Sequence, residues 1–144
     1  MPSRDATTHW TGGLQNGKGE VTLDSSNAGT FDVSFPTRSG NPDGQTSPEE
    51  LIAAAHSSCL AMNLSGVLES QKLEAESIDV SAEVTLGPAQ GGGFEISGIA
   101  ITLRAKLDGV TPEQFAELAE TAEKTCPVTK ALAGTTITMD AALV

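Results

Sequence analysis

The segment opening at Ser47 constrains this chain most. Ser47 can cap a helix, Pro48 suits the first helical position, and Glu50 completes a Ser-x-x-Glu capping box. Leu51, Ile52, Ala55, Cys59, Met62, Leu64, Val67 and Leu68 then recur on what is predicted to be an apolar side, and the helix should run to about Gln71. Its middle, Ala53-Ala54-Ala55 and Ser57-Ser58, is almost free of bulk. So lean a helix lets another backbone come close, and the fold should exploit that.

The flanking sequence predicts what surrounds the helix. Thr8–Thr11, Glu20–Leu23 and Thr30–Phe35 read as half-buried strands, followed by a long loop from Pro36 to Ser47. Ile78, Val80, Ala82, Val84 and Leu86 share one strand face, and Gly87 to Gly93 supplies a turn. In the next strand Phe94 and Ile96 have one parity, while Ile99, Ile101, Leu103, Ala105 and Leu107 have the other. The slip at Ser97-Gly98 predicts a β-bulge. Thr111, Pro112 and Gln114 start a second capped helix with Phe115, Leu118, Ala119 and Ala122 inward, stopped by Pro127. A short helical piece near Val128 to Leu132 and a strand through Ile137, Met139, Ala141 and Leu143 finish the chain. The expectation is one α+β domain over residues 1–144, with a mainly antiparallel sheet and two main helices.

Charge and composition narrow the function. Eight Lys+Arg against nineteen Asp+Glu give a net charge of -11, and only 3% of the residues are aromatic. That acidity repels nucleic acid and anionic lipid, and few residues remain on which bases could stack. No apolar run is expected to reach the roughly 18 residues of a membrane span, and the N-terminus lacks the apolar core of a signal peptide. The expectation is a cytoplasmic protein binding neither nucleic acid nor membrane. There, two cysteines read as reduced, catalytic or inert, and they are too few for the usual zinc sites.

Cys59 on the first helix and Cys126 at the end of the second could be small apolar residues or reactive thiols. A free thiol is only a few per cent ionised at pH 7, so a working thiolate needs a positive charge nearby. Lys72, Lys124 and Lys130 fall near helix ends, and Arg104 and Lys106 alternate with core residues on a strand. Arg38 instead begins the loop that leads into the Cys59 helix. Glu50 is taken by the capping box, which leaves Glu49 free to orient an arginine. Glu49 and Cys59 are ten residues apart on one helix, about 15 Å along its axis. Two copies packed antiparallel near Ala54 would place Glu49 of one chain beside Cys59 of the other, a site shared across a homodimer. His56, one turn before Cys59, could support its ionisation or serve only as a structural hydrogen-bonding group. His9 has no supporting context.

Taken together, His9-Trp10-Thr11-Gly12, the run Ser47 to Cys59, and Cys126-Pro127-Val128-Thr129 resemble the OsmC/Ohr family, the osmotically inducible protein C and organic hydroperoxide resistance proteins. The resemblance covers nearly the whole chain. Arg38 before the helix, a Gly12-Gly13-Leu14 turn without arginine, and His56 fit the OsmC branch, while Leu60 departs from the phenylalanine common there. The resemblance implies intertwined homodimers that reduce peroxides without a metal or other cofactor, and the aliphatic, small-residue surroundings of Cys59 suit organic hydroperoxides better than hydrogen peroxide. It implies that Cys59 is the peroxidatic thiolate and that Cys126 resolves its sulfenic acid as an intramolecular disulfide. Arg38 would stabilise the thiolate, and Glu49 would hold Arg38. An external dithiol, a lipoyl protein by analogy with the family, would complete the cycle. Two rivals stay open at this point: a non-enzymatic α+β dimer that binds an apolar ligand with inert cysteines, and a thiol–disulfide oxidoreductase, though neither cysteine belongs to a Cys-x-x-Cys motif.

Overall fold

A computed structural model describes residues 1–144, which form two compact units, Met1–Leu51 and Ile52–Val144. In the first, β1 (Thr7–Thr11), β2 (Lys18–Thr22) and β3 (Thr30–Val33) make an antiparallel meander in that order. Two glycines are required beneath Trp10. A Cβ on Gly17 or Gly19 would meet the indole ring at 2.8 Å. Val21 is the one buried hydrophobic residue of this unit, while Phe31 and Trp10 stay about two-fifths exposed.

The expected long loop needs correction. The strand stops at Val33, and α1 (Phe35–Ser39) follows. Ser34 caps it by accepting the Thr37 N–H, and Pro36 fits the first turn. Arg38 therefore stands in the last turn of a helix, not at the start of a loop.

α2 (Pro48–Ser70) begins as predicted but with half of the capping box. Ser47 Oγ accepts the Glu50 N–H at 3.1 Å, and its carbonyl accepts the Leu51 N–H at 3.0 Å. Glu50, however, accepts from the Thr46 hydroxyl at 2.6 Å instead of reaching back to the cap. The buried stripe of α2 is His56, Leu60, Leu64 and Leu68, at a spacing of four. Ala55 and Met62, expected inward, are exposed, Met62 to 70%. One helix face cannot serve both sets, and the leucines bury more apolar area than alanine does. The expectation that no segment is apolar enough to cross a membrane is also corrected. By length and composition α2 qualifies, with a mean hydropathy of 1.4 over its best window. Alanines raise that value, and the leucine stripe builds the core of the second unit.

In that unit β4 (Ser77–Pro88) and β5 (Phe94–Lys106) form a long antiparallel hairpin. Thr85 pairs with Gly98 and Leu86 with Ile96, so Ser97 is the extra residue of the expected bulge. β6 (Ile137–Leu143) pairs with β5 in parallel, while the other three ladders are antiparallel. α3 (Pro112–Thr125) carries a complete capping box between Thr111 and Gln114. It seats Phe115, Ala119 and Ala122 among Leu60, Leu64, Leu68 and the β5 residues Ile99, Ile101 and Leu103. Phe115 is the largest side chain buried there and is 1% exposed. Phe115→Ala is expected to cost about 3–5 kcal/mol, read as a fall in the urea midpoint at unchanged slope.

Candidate active site

α3 ends and α4 (Pro127–Ala131) begins at a single residue, Cys126. The ring of Pro127 pushes the preceding residue out of helical geometry, and Cys126 adopts φ -63 and ψ 122. This corner turns the fully buried Cys126 side chain towards α2. Its sulfur lies 3.2 Å from that of Cys59, and both cysteines are free thiols. Cys59 is partly exposed, so the pair has one sulfur accessible from outside and one enclosed.

Asn63, one turn beyond Cys59, fixes this approach. Its side-chain amide donates to the Ala122 carbonyl at 2.6 Å and to Thr125 Oγ1 at 2.7 Å, tying α2 to the last turn of α3. Asn63 is not among the candidate residues that the sequence nominates. An amide interrupting an apolar helix four residues after a cysteine was the available signal.

The environment treats the two sulfurs differently. Burial pushes the Cys59 thiol up, opposed by the Val128 N–H and reinforced by Cys126. Burial acts the same way on Cys126, but the Thr129 N–H, the Cys59 thiol, the Thr129 hydroxyl and the Val128 N–H together outweigh it and bring this thiol below its usual value. These groups face the sulfur as dipoles without forming a full capping hydrogen bond. Within Ile52–Val144 no cation acts on Cys59. A Cys59 thiolate therefore needs positive charge from elsewhere.

The other two candidate residues lie together in the first unit. Arg38 grips Glu49 through Nη2 to Oε1 at 2.7 Å and through Nε to both carboxylate oxygens at 3.1 and 3.2 Å. Glu49 is 7% exposed. Its hydrogen bond to Arg38 raises the arginine pKa further, with burial opposing and the Coulomb attraction adding to the rise. The contact uses one edge of the guanidinium and leaves Nη1 uncommitted. Thus the four candidate residues fall into two pairs, Arg38 with Glu49 and Cys59 with Cys126. His56 does not contact Cys59 as a base; its Nε2 lies 2.8 Å from Thr129 Oγ1. No group of three or more His, Cys, Asp or Glu side chains could hold a metal ion.

Residues 40–140 match the family model described as OsmC-like protein, and the chain belongs to the OsmC family. It is similar to the peroxiredoxin OsmC of Escherichia coli K12, at 36% identity over 124 residues, covering 86% of this chain and 85% of that one. The organic hydroperoxide resistance protein OhrA of Bacillus subtilis is 29% identical over 107 residues, 72% of this chain and 73% of its own. Among solved structures, an organic hydroperoxide resistance protein from Elizabethkingia anophelis superposes with a TM-score of 0.79 at 30% identity, covering 100% of this chain and 98% of that one.

Proposed function

We propose that this chain is a thiol-dependent peroxidase that reduces organic hydroperoxides, and hydrogen peroxide more weakly. The observation that carries the reading is the meeting of two free sulfurs at 3.2 Å across a sequence separation of 67 residues. A disulfide bond is about 2.05 Å long, so a shift of roughly 1.2 Å would close the ring. The names of the relatives, peroxiredoxin OsmC and organic hydroperoxide resistance protein, support the same class of reaction.

In this reading the Cys59 thiolate attacks an oxygen of the hydroperoxide. The O–O bond breaks, an alkoxide leaves and takes up a proton as the alcohol, and Cys59 becomes a sulfenic acid. Cys126 then displaces hydroxide, which leaves as water, and a Cys59–Cys126 disulfide remains. An external dithiol, a lipoyl protein by family analogy, returns both thiols. No cofactor is required. Exposed apolar neighbours of Cys59 along α2, Ala55 and Met62, suit an alkyl or aryl hydroperoxide.

Arg38 supplies the missing positive charge, and Glu49 holds it. Its free Nη1 edge is suited to the thiolate and to the departing alkoxide. We place this pair against Cys59 of the partner subunit in a homodimer with shared sites. The support is the exposed stripe of Ala54, Ala55, Ser58 and Met62 on α2, which would let two copies of the helix cross closely. A first unit with one buried hydrophobic residue likewise calls for cover. The protein is assigned to the cytoplasm, where dithiol reductants keep such cysteines reduced.

Mass spectrometry after one equivalent of cumene hydroperoxide tests the reading. The expected product is a peptide cross-linked between Cys59 and Cys126, with two hydrogens lost from the intact mass. Two unreacted thiols would overturn the peroxidase and favour an apolar-ligand binder.

A further inference from the structure

His56 is fully buried one turn before Cys59, a polar ring in the same buried stripe as Leu60, Leu64 and Leu68. Its Nε2 meets Thr129 Oγ1 at 2.8 Å, and its Nδ1, equally enclosed, has no hydrogen-bond partner. Leaving a buried polar atom unpaired costs about 1–3 kcal/mol. Thr129 is the third residue after Cys126, so this single hydrogen bond ends beside the second sulfur of the site.

We propose that His56 and Thr129 are positioning residues for disulfide closure: the buried imidazole fixes the Thr129 hydroxyl so that its O–H points at Cys126 Sγ and steadies that sulfur as the attacking nucleophile. The inference deepens the peroxidase reading and rests on it.

The tautomer follows from the two ring nitrogens. If Nε2 accepted the Thr129 proton, the hydrogen of the ring would sit on Nδ1 as a buried, unpaired donor, and the hydroxyl would have nothing left for sulfur. If Nε2–H donates to Oγ1, Nδ1 keeps only a lone pair and the hydroxyl proton is free for Cys126. The second arrangement leaves the less costly orphan. Two titratable groups bear on the cluster, Cys59 from α2 and Glu123 from α3. Burial lowers the His56 pKa, and Glu123 pulls it the other way without prevailing. The ring is thus neutral at pH 7 and acts as a donor, not as a charge. The Thr129 hydroxyl is among the groups that hold the Cys126 thiol below its usual value.

At closure the Cys126 thiolate sulfur attacks the sulfenic sulfur of Cys59. The S–S bond forms, the S–O bond breaks, and the departing hydroxide takes the proton given up by Cys126 and leaves as water. One sulfur is oxidised and the other reduced, so no further oxidant is needed. A hydroxyl aimed at Cys126 lets this sulfur carry charge at the moment it must attack.

Two measurements test the relay. In a Cys59→Ser background, where Cys126 is the one remaining cysteine, the pH midpoint of its thiolate absorbance in the ultraviolet should shift upward by about one unit on Thr129→Val, because a hydrogen bond to the anion is lost. Thr129→Ser should restore it. With both cysteines present and one equivalent of cumene hydroperoxide, Thr129→Val and His56→Leu should lengthen the life of the dimedone-trappable sulfenic acid about ten-fold. His56→Gln, which returns an amide N–H near the place of Nε2, should close at nearly the parent rate. A Thr129→Val chain with the parent thiolate titration and closure rate overturns the inference. A filler role alone would not move the midpoint of the thiolate titration, and the Thr129 series decides the matter even if His56→Leu fails to fold. Should the parent leave the hydroperoxide unreacted and keep both thiols, the peroxidase reading falls by itself, while the thiolate titration still judges the hydrogen bond.

Discussion

Cys59→Ser is expected to abolish multiple turnover of cumene hydroperoxide, lowering the rate with an excess of dithiol by at least about 10³-fold. A hydroxyl is a far weaker nucleophile than a thiolate at neutral pH, and no other cysteine can take its place. Cys126 has a depressed pKa, yet it is fully buried, whereas Cys59 is partly exposed to incoming peroxide. Access therefore outranks acidity in assigning the first attack. The change is nearly isosteric, and Cys59 lies outside the leucine stripe of α2, so the fold should persist by circular dichroism. Steady-state peroxide consumption is the measurement, and full turnover by the serine variant would remove the mechanism.

The legible parts of this molecule are those decided by neighbouring residues. Thr111 and Gln114 encode their capping box within four positions, and the parity slip at Ser97-Gly98 encodes the bulge within two. The Cys126-Pro127 corner follows from one ring against one backbone. α1 was harder because Phe35 continues the alternation of Phe31 and Val33, which conceals the Ser34 cap and the Pro36 that follows it. The parallel pairing of β6 with β5 was invisible because alternation is the same in either direction. For the α2 face, a run of alanines scored apolar although only the leucines had area worth burying.

The site divides along the same line. Residue types alone nominated Arg38 and Glu49 as partners, and the structure pairs them; the Glu50 carboxylate does turn to a local partner, Thr46 in place of the cap. The 3.2 Å approach of the two sulfurs could be expected only through the family resemblance, since no local rule joins positions 67 residues apart. Asn63 and Thr129 lay hidden for the same reason. Each acts through a hydrogen bond to a segment about sixty or more residues away in sequence, and such bonds leave no periodic trace.

Cys126→Ser separates the two halves of the proposed chemistry. The variant keeps the Cys59 nucleophile, so it should consume one equivalent of hydroperoxide per chain and then stop. A serine hydroxyl cannot close a disulfide, and the sulfenic acid has no other thiol within the chain to meet. Intact mass should show the addition of one oxygen at Cys59, trappable by dimedone, and excess peroxide should carry it to the irreversible sulfinic acid. Removing the Cys126 thiol also removes an interaction that raises the Cys59 pKa, so the first attack should not be slowed for want of thiolate. A burst of one equivalent followed by a plateau is therefore the expected trace. Sustained turnover at the parent rate would mean that the reductant attacks the sulfenic acid directly, and the close approach of the two sulfurs would then play no part in the cycle.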